Sequence, residues 1–381
     1  MSLVVEMADI KKGETLVIAG TKKGLFLLHS KDRRRWKTEG PFIEGMPVRH
    51  ALLSPHDHKT IIASGWSGHF GPAISVSTNA GGRWKRTKGT PHYAKESGLS
   101  VEAVWSFAVD DDATLFAGVE PAGLFRSKDN GNSWDAVEGL NTWGGRKDWQ
   151  PGNGGLILHT ILPYRGDTDK MVVGISSVGV FGTKDGGDHW KVISGGVHGV
   201  FEPDKVMKDG EIGHCPHKLA RDATDPRQLY MQDHAGVYRR REGDDSWKAA
   251  ETGLPRWKKE RGRRWTFGFA MAAHPHRKGW AYLLPLVSDW NRVTKDGKVR
   301  VYRTTDGAKR WTEASKGLPR SGAYMTVLRD AMRTDTNDPA GVYFGTTTGQ
   351  VFASRNEGGS YEQVADGLPP VLSIEAGVVG G

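Results

Sequence analysis

Three histidines stand near the start of three similar segments of the chain. His50 lies in PVRHALLSP, His159 in LILHTILPY and His217 in CPHKLARD, and His234 lies in QDHAGVY. Neutral imidazole binds zinc, iron, copper or nickel, and three such ligands with one open position can form a catalytic centre. The residue types therefore predict a site for a divalent transition metal, held by these four histidines.

Other side chains add acid–base and binding chemistry to this candidate site. Histidine titrates near pKa ~6.5 and can act as an acid or a base without any metal. Glu102 in LSVEAVWSF and His69 in WSGHFG are candidate acid–base groups, and Tyr324 in SGAYMTVL completes the predicted catalytic set. Arg49 or Arg221 would orient an anionic substrate. The alternative for each histidine is a structural hydrogen bond to a turn or a neighbouring element.

These residues are far apart in the chain, so a fold must bring them together. The phrase SKDNGNSW at 127–134 recurs as TKDGGDHW at 183–190 and STNAGGRW at 77–84, with further copies along the chain. The closing aromatic residues of the copies are spaced 48 to 64 residues apart: Trp36, Trp84, Trp134, Trp190, Trp247, Trp311 and Tyr361. Two alternating segments precede each copy and a short one follows it. Four short strands per repeat are typical of one propeller blade.

The repeated phrase has the chemistry of a tight turn. Ser127 and Asp129 carry short polar side chains that can bond nearby backbone amides. Gly131 can adopt positive φ, and Trp134 can bury its ring between sheets. The phrase therefore predicts a turn between the third and fourth strands of each blade.

The sequence predicts a single all-β domain over 1–381, a seven-bladed β-propeller. Its blades are expected over 15–38 plus 369–378, 48–88, 101–138, 156–194, 217–250, 265–315 and 324–365. The inner strands would begin near Val48, Val101, Leu156, His217, Trp265 and Tyr324. The segment before Trp36 holds only two strands, so PPVLSIEAGV at 369–378 is predicted to complete that blade and close the ring.

Composition sets limits on the function classes. Lys and Arg number 53 against 44 Asp and Glu, a net charge of +9 that mildly favours anionic partners and makes nucleic acid an improbable one. The basic stretch RWKKERGRRW at 256–265 is predicted to be a solvated loop between two blades, with binding of an anionic ligand or a nucleic acid as the alternative. The single cysteine excludes an internal disulfide. No apolar run is long enough for a membrane helix and no signal peptide is apparent, which favours a cytoplasmic protein, a monomer or weak oligomer.

The repeated turn resembles the Asp-box, or BNR repeat. The whole chain resembles bacterial Asp-box propeller proteins of sialidase-like or glycosyl-hydrolase-like type. It most resembles a cytosolic group of unknown function, through GHFG at 68–71, GLFRS at 123–127 and HAGVYR at 234–239. The resemblance implies the fold firmly and the function weakly. Sialidases also carry an Arg-Ile-Pro motif, which this sequence lacks.

Three functions follow as hypotheses. The first is a hydrolase or lyase that acts on a small polar or glycoside-like molecule, anionic or sugar-like, in a histidine-lined central pocket with or without a metal. The second is a non-catalytic propeller scaffold that binds a protein partner. The third is a sialidase-like glycosidase, which needs two carboxylates across a cleft. Asp and Glu are sparse on the predicted inner strands, so the third ranks last.

Overall fold

The structure is a computed structural model that describes residues 8–68, 71–202 and 204–380. Seven four-stranded antiparallel sheets form the seven blades of a β-propeller, as predicted. No helix among these residues is long and apolar enough to cross a membrane.

Blade 1 contributes the first three strands of the chain, and blades 2 to 7 follow with four strands each. Blade 1 holds β1 (Thr15–Thr21), β2 (Gly24–Ser30) and β3 (Lys37–Phe42); blade 2 holds β4 (Ala51–Leu53), β5 (Ile61–Ser67), β6 (Gly71–Ser77) and β7 (Lys85–Arg86). Blade 3 holds β8 (Ala103–Val109), β9 (Leu115–Glu120), β10 (Gly123–Ser127) and β11 (Asp135–Ala136); blade 4 holds β12 (Leu158–Tyr164), β13 (Asp167–Ile175), β14 (Gly179–Thr183) and β15 (Lys191–Val192). Blade 5 holds β16 (Pro216–Arg221), β17 (Gln228–Asp233), β18 (Gly236–Arg241) and β19 (Lys248–Ala249), and a separate hairpin follows it, β20 (Lys258–Glu260) and β21 (Arg263–Trp265). Blade 6 holds β22 (Phe267–Ala273), β23 (Ala281–Leu286), β24 (Tyr302–Thr304) and β25 (Thr312–Glu313); blade 7 holds β26 (Met332–Thr334), β27 (Val342–Gly345), β28 (Val351–Ser354) and β29 (Glu362–Ala365). The helical segments are short: α1 (Glu138–Asn141) and three 3₁₀ turns at Lys95–Ser97, Arg146–Asp148 and Lys295–Gly297.

The ring closes through the C-terminal strand β30 (Val371–Val378), which is the inner strand of blade 1. It pairs antiparallel with β1, so that Thr15 lies opposite Val378 and Ile18 opposite Glu375. Every residue of β1 is buried. The predicted closure is therefore confirmed. Because β1 and β30 pair with each other, the two ends of the chain leave no exposed sheet edge between them.

The hydrophobic core lies between neighbouring blades. Between blades 3 and 4, for example, Phe116 and Leu124 pack with Val173 and Phe181. Successive side chains of a strand point to opposite faces of its sheet, and each sheet here has a neighbour on both sides. This explains why the central strands are buried along most of their length.

The repeated turns have the geometry that their residues predict. In blade 3 the Ser127 hydroxyl accepts from the Gly131 amide at 2.8 Å, and the Asp129 carboxylate accepts from the Ser133 amide at 2.8 Å. Gly131 has φ +85°, and the Trp134 indole donates to its carbonyl at 3.0 Å. The turn thereby sets the start of the outermost strand.

The inner strands of blades 2 to 6 begin within three residues of the predicted positions, but that of blade 7 does not. The prediction at Tyr324 is wrong, because β26 begins at Met332. The segment around Tyr324 alternates like a strand, with Met325 and Val327 buried. Its amides instead bond the 3₁₀ segment of blade 6, as where the Ala323 amide donates to Gly297 at 2.9 Å. The basic stretch at 256–265 is also not a simple loop, since it contains the hairpin β20–β21.

We call the face on which the inner strands begin the upper face. The turns between the second and third strands of each blade open on the same face, because neighbouring strands are antiparallel.

Candidate functional site

A cavity of about 420 Å³ follows the propeller axis. His50, His159, Lys218 and Arg221 line it, whereas His217, which the sequence groups with His50 and His159, is not among its lining residues. Arg221 is held to the side, because its guanidinium lies 3.5 Å from the centre of the Tyr164 ring and donates to the Leu162 carbonyl at 2.9 Å. It is thus used in packing blade 5 against blade 4.

Two of the predicted histidine ligands tie one blade to the next. His159 Nε2 lies 2.8 Å from the Pro216 carbonyl of blade 5, and its Nδ1 lies 2.9 Å from the Thr160 hydroxyl. His217 Nδ1 lies 2.6 Å from the Gly268 carbonyl of blade 6. These contacts match the structural alternative for histidine, since each ring satisfies a backbone carbonyl of the neighbouring inner strand.

The four predicted metal ligands do not converge. His217 and His234 meet with ring centres 5.5 Å apart, whereas His50 and His159 line the cavity from two other blades. Within 8–68, 71–202 and 204–380, no three His, Cys, Asp or Glu side chains are grouped so that they could hold a metal ion. The metal site remains a prediction that this arrangement does not support.

Burial keeps the channel histidines neutral. It lowers the pKa of His50 to about 4, and it holds the pKa of His159 and of His217 well below the usual value. Burial also lowers the pKa of His234. Imidazolium in the unfolded chain must therefore lose its proton on folding in mild acid, which makes stability depend on pH.

We expect the protein to lose stability as the pH falls from about 6.5 to 4, partly through His50. In that window the unfolded chain binds more protons at this site, so the free energy of unfolding rises with pH. The difference in unfolding free energy between wild type and His50→Gln should change by on the order of 2–3 kcal/mol between pH 7 and pH 4. Urea unfolding at several pH values measures it. The exposed His92 gives the control His92→Gln, and equal pH slopes in wild type and His50→Gln would contradict the expectation.

An ion pair spans the channel near His50. The Lys218 ammonium of blade 5 donates to the Asp330 carboxylate, which lies two residues before the inner strand of blade 7. Both side chains are largely buried. Burial alone would raise the pKa of Asp330, but the charge of Lys218 holds it below the usual value. The pair joins two blades that are not neighbours in the ring.

On the upper side, two guanidinium groups converge on one indole. We call this group of Arg49, Arg329, Trp105 and Glu120 the upper mouth. Arg49 lies 4.5 Å from the centre of the Trp105 ring, and Arg329 lies 6.0 Å from it on the blade 7 side. Arg329 reaches across the ring to blade 4, where it donates to the Ser176 hydroxyl at 3.1 Å. Burial lowers the pKa of both arginines, so neither charge is fully solvated.

Glu120 and Glu102 bring carboxylates to the same place. Glu120 accepts from the Trp105 indole at 2.8 Å, and burial raises its pKa. The negative charge of Glu102 raises that pKa further. The Glu102 amide bonds the Glu120 carbonyl at 2.7 Å, which fixes the two residues side by side, and the Glu102 side chain is exposed. The mouth therefore combines cations with a carboxyl group that is protonated more readily than usual.

The other predicted catalytic residues lie elsewhere. Tyr324 is 62% exposed on the loop before blade 7, away from the inner strand that was predicted to carry it. His69 lies outside the described residues. Cys215 lies 3.8 Å from the Ser177 hydroxyl, and burial raises its thiol pKa, which disfavours the thiolate that a nucleophile needs.

Ser194, His214 and Asp233 have the connectivity of a catalytic triad in a closed site. His214 Nε2 lies 2.9 Å from the Ser194 hydroxyl, and Nδ1 lies 2.9 Å from the Asp233 carboxylate. All three residues have no exposed surface. A substrate cannot reach this serine, so the group is a structural clamp between blades 4 and 5.

Sequence reasoning misses Trp105, Arg329 and Asp330. Trp105 follows Glu102 by three residues, and in the sequence it cannot be told from any other aromatic residue of a strand. Arg329 and Asp330 carry no motif, and the misplaced inner strand of blade 7 hides their position on the axis. If the inner strand of blade 7 is placed at Met332 instead of at Tyr324, both residues fall at the start of that strand, where channel residues are expected.

No protein-family model and no curated protein matches the chain. Among solved structures, it is similar to a GH74 xyloglucanase from Xanthomonas campestris, with a TM-score of 0.61, 16% identity, and coverage of 97% of this chain and 52% of that enzyme. It is also similar to the GH74 enzyme of Niastella koreensis, with a TM-score of 0.55, 13% identity, and coverage of 96% and 68%.

A third neighbour is a candidate 6-phosphogluconolactonase from Bacteroides fragilis, with a TM-score of 0.55, 10% identity, and coverage of 96% and 98%. The chain spans about half the length of the Xanthomonas enzyme. At such identities the likeness establishes the β-propeller fold alone. The sialidase-like and Asp-box assignments remain predictions.

Proposed function

We propose that the protein is a hydrolase or lyase that acts on a small anionic, sugar-like molecule bound at the upper mouth. The observation that carries this proposal is the convergence of Arg49 and Arg329 on the Trp105 ring. Neither arginine has a carboxylate within 4.0 Å in the described part of the chain, and Arg49 Nε has no hydrogen-bond acceptor there.

Two partly desolvated cations that make no direct ion pair favour an anionic ligand, even though the Glu120 carboxyl group acts on both at longer range. Holding a guanidinium away from water costs free energy that a carboxylate or phosphate can offset through charge-assisted hydrogen bonds. The planar guanidinium also suits a carboxylate in two-point contact. The half-buried Trp105 indole beside the cations adds apolar surface for a sugar ring.

Glu120 is the proposed general acid. Its raised pKa keeps a proton available nearer to neutral pH, and its hydrogen bond to Trp105 orients the carboxyl group. Glu102 beside it is exposed and is the proposed base that activates water or abstracts a substrate proton. Two carboxyl groups at one mouth support acid–base chemistry there, whereas a glycosidase needs its two carboxylates on opposite sides of the scissile bond.

Binding is the first test. Isothermal titration with glucuronate should show saturable binding to the wild type, and Arg329→Gln or Arg49→Gln should weaken it about 10- to 100-fold, because one charged hydrogen bond is worth about 1.5–3 kcal/mol. Arg34→Gln on an exposed turn of blade 1 removes the same charge and should change nothing. Equal affinity for glucose would contradict an anion site.

Turnover is the second arm of the same test. The wild type should cleave methyl glucuronide faster than the matched neutral methyl glucoside, and Glu120→Gln should lower the rate about 10²- to 10⁴-fold, because the alkoxide leaving group needs a proton. The rate should fall as the pH rises through the raised pKa of Glu120, because the acid form is then lost. Binding without cleavage or elimination in any anionic glycoside tested would refute the enzyme and leave the scaffold hypothesis in its place.

A further inference from the structure

The hairpin β20–β21 stands out because its solvent-facing side carries cations opposite each other. Lys259 pairs in register with Arg264, and both side chains are exposed. Like charges placed directly opposite in an antiparallel pair destabilise it. No ion pair to either residue occurs among the described residues, so the repulsion is left without compensation in the protein alone.

The other side of the hairpin anchors it firmly. Lys258 and Trp265 lie opposite each other and are buried. The Lys258 ammonium lies 2.5 Å from the Asp289 carboxylate, and at the tip Arg261 lies 3.8 Å from Asp204. The exposed charges therefore lie on an anchored hairpin. They cannot move apart as they could on a mobile loop.

The hairpin is connected to the upper mouth by a row of contacts. Asp289 lies 3.8 Å from the His234 ring on blade 5. Three residues later Arg292 lies 5.4 Å from the centre of the Phe269 ring. The segment that carries Asp289 and Arg292 connects β23 to β24, the second and third strands of blade 6, so it lies on the upper face with the mouth. The hairpin, this segment and the mouth therefore share the upper face, with cations at Lys258 and Arg292 and a carboxylate at Asp289.

Carboxylates and one exposed aromatic ring lie next to the hairpin and the segment beside it. Asp289 and Glu260 lie beside Lys258, and Trp290, which follows Asp289, is 86% exposed. A single-strand nucleic acid site has several accessible rings in series along a basic groove. Here Trp265 is buried and Trp257 is half-buried, and the largely exposed Trp290 stands beside carboxylates. An acidic sugar residue has hydroxyl groups that donate to carboxylates, a carboxylate that accepts from cations, and a ring face that packs on indole.

We propose that the hairpin at Lys258–Trp265 binds an acidic oligosaccharide whose terminal residue occupies the upper mouth. This inference rests on the proposed function and extends it, because it makes the substrate the end of an anionic glycan chain. The mouth binds the terminal residue, and Lys259 and Arg264 contact residues farther along the chain.

The experiment compares two ligands and three variants. Titrations use galacturonate and a hexamer of galacturonate at low and moderate salt. Lys259→Gln/Arg264→Gln should weaken hexamer binding about 3- to 10-fold, with a smaller salt dependence, and leave monomer binding unchanged. Arg329→Gln should weaken both. Lys85→Gln/Arg86→Gln, on the exposed outer strand of blade 2, removes the same net charge and should affect neither ligand.

The possible failures can be told apart. If the wild type binds the hexamer through the hairpin but does not bind the monomer, the mouth proposal fails and the hairpin site stands alone. If the hairpin variant binds the hexamer as the wild type does, the inference is overturned. Equal binding of a neutral hexasaccharide overturns it too, and so does tighter hairpin-dependent binding of a single-stranded oligonucleotide. Circular dichroism of each variant confirms that the fold is kept.

Discussion

His214→Ala should lower the free energy of unfolding by about 3–5 kcal/mol, because it leaves the Asp233 carboxylate buried without its imidazole partner. Among the described residues, the donor that this carboxylate then keeps is the Ala235 amide of its own turn, at 2.9 Å. Ser194→Ala removes one neutral hydrogen bond from the same ring and should have a smaller effect, about 1–3 kcal/mol. Guanidinium unfolding of the two variants and the wild type measures both values.

The protein contains a matched control for this prediction. His189 and Asp185 form a pair of the same type with a 2.8 Å contact, but His189 is 88% exposed. His189→Ala should therefore change the unfolding free energy far less than His214→Ala does, since water replaces the lost partner. Similar effects at His214 and His189 would show that burial does not set the strength of the clamp, and would undermine its structural role.

Lys218→Met should be nearly as destabilising, by about 3–5 kcal/mol, because Asp330 is then an uncompensated buried charge. The double variant Lys218→Met/Asp330→Leu should be less destabilised than Lys218→Met alone, since neither charge remains to be solvated. A double-mutant cycle by chemical unfolding gives the coupling energy. Additive effects of the two single variants would contradict a direct pair.

The same pair makes a prediction about pH. The pKa of Asp330 is lowered in the folded protein, so its contribution to stability is present above the unfolded pKa near 3.8 and is lost as the pH falls through the folded value. The stability difference between wild type and Lys218→Met should therefore shrink below about pH 4. A difference that stays constant into stronger acid would mean that the pair is not ionised in the folded state.

The repeat predicts the fold because each blade is a local unit. Residues such as Ser127, Asp129 and Trp134 make contacts within a few residues of one another, so their spacing carries the structural information. The closing strand is also predictable, since blade 1 lacks a strand and the chain has one to spare at 371–378. Tyr324 shows the limit of this reasoning, because an alternating pattern also fits a loop whose amides bond a neighbouring loop.

The candidate site is only partly predictable, for a geometric reason. The sequence places His159 and His217 correctly on the inner strands, but it cannot show that their ring nitrogens meet carbonyls of the next blade. The direction of those rings is set by the neighbouring blade. Arg49 and Arg329 are separated by most of the chain, so their convergence on Trp105 depends on how the whole ring closes.

Ring closure also has a consequence for protein synthesis. Arg49 precedes blade 2 and Arg329 precedes blade 7, and these are the two blades that flank blade 1. Blade 1 is complete only when β30 pairs with β1, and the Ile374 amide of β30 also bonds the Asp330 carbonyl at 2.8 Å. A nascent chain that has emerged as far as blade 7 therefore has both arginines but lacks the pairing of β1 with β30, which fixes the distance between them. On the ribosome, the proposed anion site should be the last feature to mature, so that a truncated translation product would lack it even where its other blades had folded.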